Sequence, residues 1–327
     1  MKENFIYSEF LRVSKELGVP VKKVSDMFYL LRDGEPEGNN ALLKRLGVSK
    51  NVLNQVKKML APFFSPSSSV TGLVFDKLQE VRECFEEGYQ VEENMYRFLE
   101  DEDFRKVLEN LKNLERPSPR RDLDQFPATL ETVARRATLL NFFGDLREKK
   151  LLFIGDEDYT SVAVASLGSP KEISVLDIDQ RVLEGIEDSS KKISAQIYTF
   201  LYDARSVLPA KFRDKFDVVF TDPPYTANGV KLFVSRAIEC LSMENNSGRI
   251  YVCYGNSDRA KERFLPIYDV FVSLGLMIRW VFDKFNRYDG AESIGDSSSL
   301  FVCEVTPRIK SLVEERTFTD SIYTNQL

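Results

Sequence analysis

The 327-residue sequence contains no histidine. That removes Ser-His-Asp and Cys-His nucleophilic machinery and every histidine-bearing metal site, so a general base must come from Asp, Glu, Lys, Tyr or Cys. Cysteine is nearly as scarce: Cys84, Cys240, Cys253 and Cys303 stand singly, with no Cys-x-x-Cys spacing. Structural zinc and a disulfide framework are therefore not expected, and buried free thiols are. No apolar run approaches the ~18 residues of a membrane span, and residues 1–10 mix charges with apolar side chains rather than forming a leader. The expectation is a globular, cytoplasmic protein. The net charge of -6 leaves no overall excess of cations for phosphate, which disfavours nucleic acid as the main partner and suits a cationic one.

A last absence is local. Residues 151–154, Leu-Leu-Phe-Ile, read as a buried parallel strand ending in a tight turn at Gly155, with a helix from about Ser161. Dinucleotide folds place further glycines after such a turn so that a pyrophosphate can approach the helix N-terminus. This chain places Asp156, Glu157 and Asp158 there instead. Three carboxylates repel a phosphate and receive a cation.

What is present falls into two parts. Helical apolar spacing covers residues 4–17 and 21–31. Residues 41–60 then give helix, Gly47 turn, Ser49 as N-cap and second helix, a helix-turn-helix pattern after which a wing is expected. Lys50, Lys57 and Lys58 support a DNA reading of that unit, whereas dimerisation or a lid role needs no DNA; the second is preferred, with a homodimer as its consequence. A charged helical stretch covers residues 76–114 and includes apolar Phe98. The two prolines of residues 115–121 cannot continue a helix and mark a linker. The expected division is a winged-helix-like domain at 1–115, a linker at 116–121, a catalytic domain at 122–307 and a tail at 308–327.

From residue 130 the pattern alternates regularly. A helix capped by Thr129 covers 130–142. Strands follow at 151–154, 172–176, 197–201, 216–220, 249–254, 277–282 and 300–305, with helices at 161–167, 181–188, 230–241 and 261–274. That alternation specifies an α/β fold, a Rossmann-like, methyltransferase-type seven-stranded sheet, mostly parallel, with a closing hairpin. Trp280 and Phe282 are expected in its core, and the acids and aromatics of residues 283–292 suit either a flap or a solvated loop between the last two strands. Ligands in such sheets lie at the carboxyl ends of the strands. Those ends carry Gly155 with Asp156, Glu157 and Asp158, then Asp177 and Asp179 for ribose hydroxyls, Asp203 for an adenine amino group, and Asp222-Pro223-Pro224-Tyr225. Together they predict an adenosine pocket, with Gln125 in a segment that can fold over its mouth. Asp222 and the Pro223 carbonyl can accept the hydrogens of an acceptor amine, and Tyr225 can stack on it or serve as a cation-π partner. No ordered ligand spacing calls for a metal or another tightly held cofactor.

The Asp222-Pro223-Pro224-Tyr225 motif resembles that of amino-methyltransferases that use S-adenosylmethionine, but the acidic first turn disfavours the carboxylate of that donor. Taken with Asp124-Gln125, Ala128-Thr129, Thr160-Ser161, Leu176-Asp177-Ile178-Asp179 and Thr226, the motifs resemble the branched-chain polyamine synthases of thermophiles, the bis-aminopropylspermidine synthases. That family's first loop is commonly Gly-Asp-Asp-Asp, so Glu157 departs from it while keeping the charge. The resemblance implies an aminopropyltransferase. The donor is decarboxylated S-adenosylmethionine, the acceptor is a secondary amine of spermidine, and methylthioadenosine is released. It implies Asp158 as the first choice to unload the acceptor's proton, with Asp156 and Asp222 beside it, Gly155, Glu157, Asp177, Asp179, Asp203 and Gln125 toward the donor, and Pro223, Pro224, Tyr225 and Asp156 toward the acceptor. The acidic C-terminal tail of that family helps to capture spermidine; Glu314, Glu315 and Asp320 are its counterparts here. Two other readings stand beside this one: an amino-methyltransferase acting on RNA, DNA or protein, and a DNA-binding regulator that senses a nucleoside.

Overall fold

The computed structural model describes residues 5–92, 102–168, 170–255, 264–289 and 297–324. Two compact units divide the chain, Met1–Leu99 with Phe142–Asp145 and Glu244–Ser247, and Glu100–Asn141 with Leu146–Met243 and Gly248–Leu327.

In the first unit, α1 (Phe5–Leu17) and α2 (Val21–Leu31) turn apolar stripes inward, burying Ile6, Phe10, Val24 and Phe28. The helix-turn-helix forms as the spacing requires. α3 (Asn39–Leu46) ends on Gly47 at φ 61°, and α4 (Lys50–Met59) begins where the Ser49 hydroxyl accepts from the Val52 N–H at 3.3 Å. The expected wing is reduced to two paired residues on each side, β1 (Glu37–Gly38) with β2 (Val70–Thr71), and β1 precedes the helices. Lys57 is turned onto this ladder and donates to Ser67 O, Val70 O and Thr71 Oγ1, while Lys50 and Lys58 are exposed.

This unit also holds a buried ammonium. Lys22 Nζ lies 3.0 Å from Asp26, 3.9 Å over the Tyr89 ring and 4.6 Å over the Phe142 ring, and donates to Gln90 O. The Tyr89 hydroxyl donates to the second partner of that pair, Asp26, at 2.7 Å.

The charged stretch after β2 is not one helix. α5 (Leu78–Arg82) is short, residues 93–101, with Phe98, lie outside the described residues, and α6 (Glu102–Lys112) belongs to the second unit. The units therefore divide near residue 100, ahead of the proline-bearing segment. The reason is the apolar face of α6, where Phe104, Val107 and Leu111 are buried.

The second unit is the seven-stranded sheet. α7 (Leu130–Phe142) leads into β3 (Lys150–Ile154), α8 (Thr160–Leu167), β4 (Glu172–Asp177), α9 (Gln180–Lys192) and β5 (Tyr198–Leu201). β6 (Val218–Thr221), α10 (Ala227–Cys240), β7 (Arg249–Gly255), α11 (Leu265–Ser273), β8 (Leu276–Arg287) and β9 (Ser297–Val305) follow. The order is β5-β4-β3-β6-β7-β9-β8, with β5 through β7 parallel and β9 antiparallel to both of its neighbours. The order reverses beside β3, so the ends of β3, β4 and β6 flank the crevice where ligands bind in open parallel sheets. Leu151, Leu152, Phe153 and Ile154 are all buried, as a central strand covered on both faces requires.

Two sequence expectations change at the hairpin. Trp280 and Phe282 are half-buried, because β8 is the edge strand and only one of its faces is covered. Most of the expected flap or loop is strand. A register shift between Phe282 and Asn286 lets β8 continue to pair Asn286 with Ser298 and Arg287 with Ser297, which delivers Tyr288 to the interior. Gly290, Ala291 and Glu292 lie outside the described residues.

Candidate active site

The ends of β3, β4, β5 and β6 converge on a cleft that, with the solvent at its mouth, encloses about 570 Å³. Asp124, Glu157, Asp177, Asp203 and Asp222 line it, with Gln125, Gly155, Ile178, Tyr202, Pro224, Phe233 and Tyr323 among the other residues. Among the described residues no Lys or Arg lines it. The backbone of the β3 turn sets this up. Gly155 at φ 72° opens the turn and Tyr159 at φ 64° closes it, so residues 156–158 are held between two left-handed residues, one of them a strained tyrosine. At the β6 turn Gly229 is obligatory for a different reason: a Cβ there would lie 2.4 Å from Pro224 O.

The three acids of the first turn have different surroundings. Asp156 caps α8, accepting from the N–H groups of Thr160 at 2.9 Å and Ser161 at 3.1 Å, and burial pushes its carboxyl up to about 8. Asp158 is equally buried and is occupied on both oxygens, Oδ1 by the Ala128 N–H at 2.5 Å and Oδ2 by Arg136 at 2.7 Å, with Arg116 3.8 Å away. Neither lines the cleft. Glu157 does, and among the described residues its carboxylate has no side-chain partner. Burial, reinforced by the charges of Asp158, Asp222 and Asp177, pushes Glu157 well above the usual carboxylate range.

The remaining strand-end acids are partnered. Asp177 accepts the backbone N–H groups of Asp179 at 2.8 Å and Asp156 at 2.9 Å, tying two turns together; burial, opposed by those hydrogen bonds, leaves it raised to about 6. Asp179 caps α9, pairs with Arg181 and accepts from Gln125 Nε2 at 3.3 Å; burial pushes its pKa up, but the Arg181 hydrogen bonds outweigh it and the net direction is down. It does not reach the cleft. Asp203 lines the cleft while gripped by Arg205 at 2.7 Å, which outweighs its burial in the same way. Asp222 accepts from Arg136 at 2.8 Å and the Tyr288 hydroxyl at 2.7 Å, both on Oδ2. Tyr225 stands edge-on to Tyr254 and Tyr288, at ring distances of 5.9 and 6.2 Å, and Pro223 is buried in the turn.

Sequence reasoning missed the residues that join these parts. Arg136, fully buried on α7, donates through Nε to Asn286 at 2.8 Å besides binding Asp158 and Asp222. Tyr288 comes from the end of β8. From the tail, Ile322 and Tyr323 line the cleft, Thr324 binds Asp124 through its N–H at 2.8 Å, and the Thr226 hydroxyl donates to Ile322 O at 2.8 Å. Glu314, Glu315 and Asp320 are exposed and line no part of it. A signal for Arg136 was legible: it lies among Thr132, Val133, Ala137 and Leu140 on a helix whose residues are nearly all buried, where an unpaired guanidinium is not tolerated. Tyr288 and Tyr323 gave none.

No helix among the described residues is long and apolar enough to cross a membrane. Comparison with known proteins gives the family. An uncharacterised protein of Methanocaldococcus jannaschii is 39% identical over 200 residues, 61% of this chain and 50% of that protein. The N(4)-bis(aminopropyl)spermidine synthase of Thermococcus kodakarensis is 35% identical over 196 residues, 59% of this chain and 55% of the enzyme. The match thus spans about half the length of these relatives. The crystal structure of the Thermus thermophilus branched-chain polyamine synthase, in complex with N4-aminopropylspermidine and 5'-methylthioadenosine, shares the fold at a TM-score of 0.61 with 21% identity, covering 98% of both chains. Residues 103–324 match the family model for the branched-chain polyamine synthase A C-terminal domain, and the chain belongs to that family.

Proposed function

We propose that this protein transfers the aminopropyl group of decarboxylated S-adenosylmethionine to a secondary amine of spermidine, releasing methylthioadenosine. The observation that carries this reading is the cleft's charge: among the described residues, five carboxylates line it and no Lys or Arg does. A donor that keeps its amino acid carboxylate meets only like charge there, whereas a donor ending in a bare ammonium beside a sulfonium is complementary. The same substrate class is supported by the relatives, an N(4)-bis(aminopropyl)spermidine synthase and a branched-chain polyamine synthase in complex with N4-aminopropylspermidine and 5'-methylthioadenosine.

The nucleoside end falls to Asp177, Asp203, Gln125, Gly155 and Tyr323. At the other end the acceptor nitrogen attacks the methylene bonded to the sulfonium. The C–S bond breaks with its electron pair left on sulfur, the N–C bond forms, and the nitrogen's proton must leave. Glu157 takes that proton. It alone among the three first-turn acids faces the cleft unpartnered, and a carboxylate with a raised pKa is a better match to an amine. Asp222, whose Oδ1 takes part in neither of its two hydrogen bonds, and the Pro223 carbonyl orient the acceptor, with Tyr225 beside it. Asp158, the first choice from sequence, supports this arrangement from behind. The four buried free thiols suit a reducing compartment such as the cytoplasm.

The test is to incubate the protein with spermidine and either decarboxylated or intact S-adenosylmethionine, and to follow the polyamine by mass spectrometry. Aminopropyl gain only with the decarboxylated donor is expected; methyl gain, or none with either donor, overturns the reading.

A further inference from the structure

Arg136 presents all three guanidinium nitrogens to groups that are far apart in sequence. Nη1 donates to Asp158 Oδ2 at 2.7 Å, Nη2 to Asp222 Oδ2 at 2.8 Å and to the Tyr288 oxygen at 3.2 Å, and Nε to Asn286 Oδ1 at 2.8 Å. Behind these, Asn286 donates to Ser298 Oγ at 2.8 Å, and Ser298 is 2.7 Å from the Tyr288 hydroxyl, which itself donates to Asp222. One buried cation thus ties α7, the β3 turn, the β6 turn and the β8–β9 hairpin into one hydrogen-bonded unit. It stops short of Glu157.

We infer that Arg136 is a positioning residue for the transfer: by spanning Asp158 and Asp222 it holds those two carboxyl groups in fixed positions and leaves Glu157 as the acid free to take the acceptor's proton. The inference rests on the aminopropyl-transfer reading. Its physical basis is that adjacent carboxylates in one crevice cannot all ionise without a counter-charge, and a single guanidinium can serve two of them because its fork is planar and rigid. A lysine supplies the charge as a point and can hold one acid at a time. The groups facing Asp222 are Arg136 from α7, Glu157 and Asp158 from the β3 turn, Tyr225 from its own turn, Cys253 from β7 and Tyr288 from β8. Among the described residues Arg136 is the one cation in that group, so its removal raises the proton affinity of Asp222 and of the acids beside it.

The experiment compares Arg136→Gln and Arg136→Lys with the unsubstituted chain, measuring kcat and kcat/KM for spermidine across pH and methylthioadenosine binding by calorimetry. Methylthioadenosine affinity should change by no more than about twofold, because Arg136 touches nothing at the nucleoside end. In Arg136→Gln, kcat falls on the order of 100-fold, and the acidic limb of the kcat/KM profile moves to higher pH. Arg136→Lys restores the limb but not the full kcat. Loss of rate with an unmoved limb, or full rate, shows Arg136 to be a structural staple and overturns the inference. Should Arg136→Gln fail to fold, Tyr288→Phe removes the second donor to Asp222 with the guanidinium in place; the same upward shift, smaller, supports the inference and an unmoved limb overturns it. Absence of aminopropyl product from the unsubstituted chain is a separate result that overturns the functional reading and this inference with it.

Discussion

Two regions of this protein gather acids and aromatic rings around a place for an ammonium, and they are completed differently. In the first unit the chain fills the place itself: Lys22 sits between the Tyr89 and Phe142 rings against Asp26. In the second unit the cleft is lined by Glu157, Asp177, Asp203 and Asp222 with Tyr202 and Tyr323, and no Lys or Arg among the described residues lines it. A filled site is a structural element, and burial lowers its lysine pKa while Asp26 raises it again. In the cleft, burial pushes Glu157, Asp177 and Asp222 toward protonation, while Arg205 holds Asp203 down. The difference teaches that acidic composition alone does not mark a place for a ligand; what sets the cleft apart is an acid with no side-chain partner among the described residues.

The sharpest break of that contrast is Glu157→Gln. It keeps the size of the side chain and removes the proton acceptor, so kcat should fall about 10²–10⁴-fold with methylthioadenosine affinity retained, read by product formation and calorimetry. Asp158→Asn should also cost activity, but through Arg136: it should move the acidic limb, whereas Glu157→Gln, lacking the titrating acid, should lose it; equal profiles for the two variants would show that the division of labour is wrong. The mirror experiment is Lys22→Met, which strands Asp26 and should destabilise the fold by about 3–5 kcal/mol in denaturant melts, while kcat per folded molecule stays unchanged. Stability unaltered by that change would remove the distinction between the two regions.

A smaller effect follows from Asp156. Burial lifts its folded pKa to about 8, above an unfolded value of ~3.9. Its folding penalty is therefore absent below about pH 4 and grows as pH rises toward 8, so stability should decline across that window. Asp156→Asn should flatten the decline in melts taken from pH 5 to 8; an unchanged slope would show that α8's N–H groups fully offset the charge. The smallest effect is expected for Arg205→Ala. The Asp203–Arg205 pair is a third exposed on each side, so its loss should cost no more than about 1 kcal/mol of donor affinity, measured as the donor KM.

Much of this was legible without coordinates. Strand alternation placed Gly155, Asp177, Asp203 and Asp222 at strand ends, and the parallel order then required those ends to meet. The missing pieces came from segments whose local pattern says little: residues 283–288, whose charges read as a loop until pairing with β9 drew them into β8, and the tail, whose Tyr323 carries no periodicity. The acid triplet was read as one cationic receptor. It is a helix cap, a free carboxylate and a guanidinium partner, because consecutive residues in a turn point in different directions.

The sequence by itself determined which elements form and which acids arrive at the sheet's edge, since apolar period, glycine turns and capping residues act over a few residues. Only the tertiary structure decided the ionic partners. Arg136 meets Asp158, Asp222 and Asn286 across separations of 22, 86 and 150 residues, and no local rule assigns a buried charge to one of several nearby opposites. The position of Arg136 on α7, within reach of the turns after β3 and β6, makes that assignment, and it leaves Glu157 without a side-chain partner among the described residues.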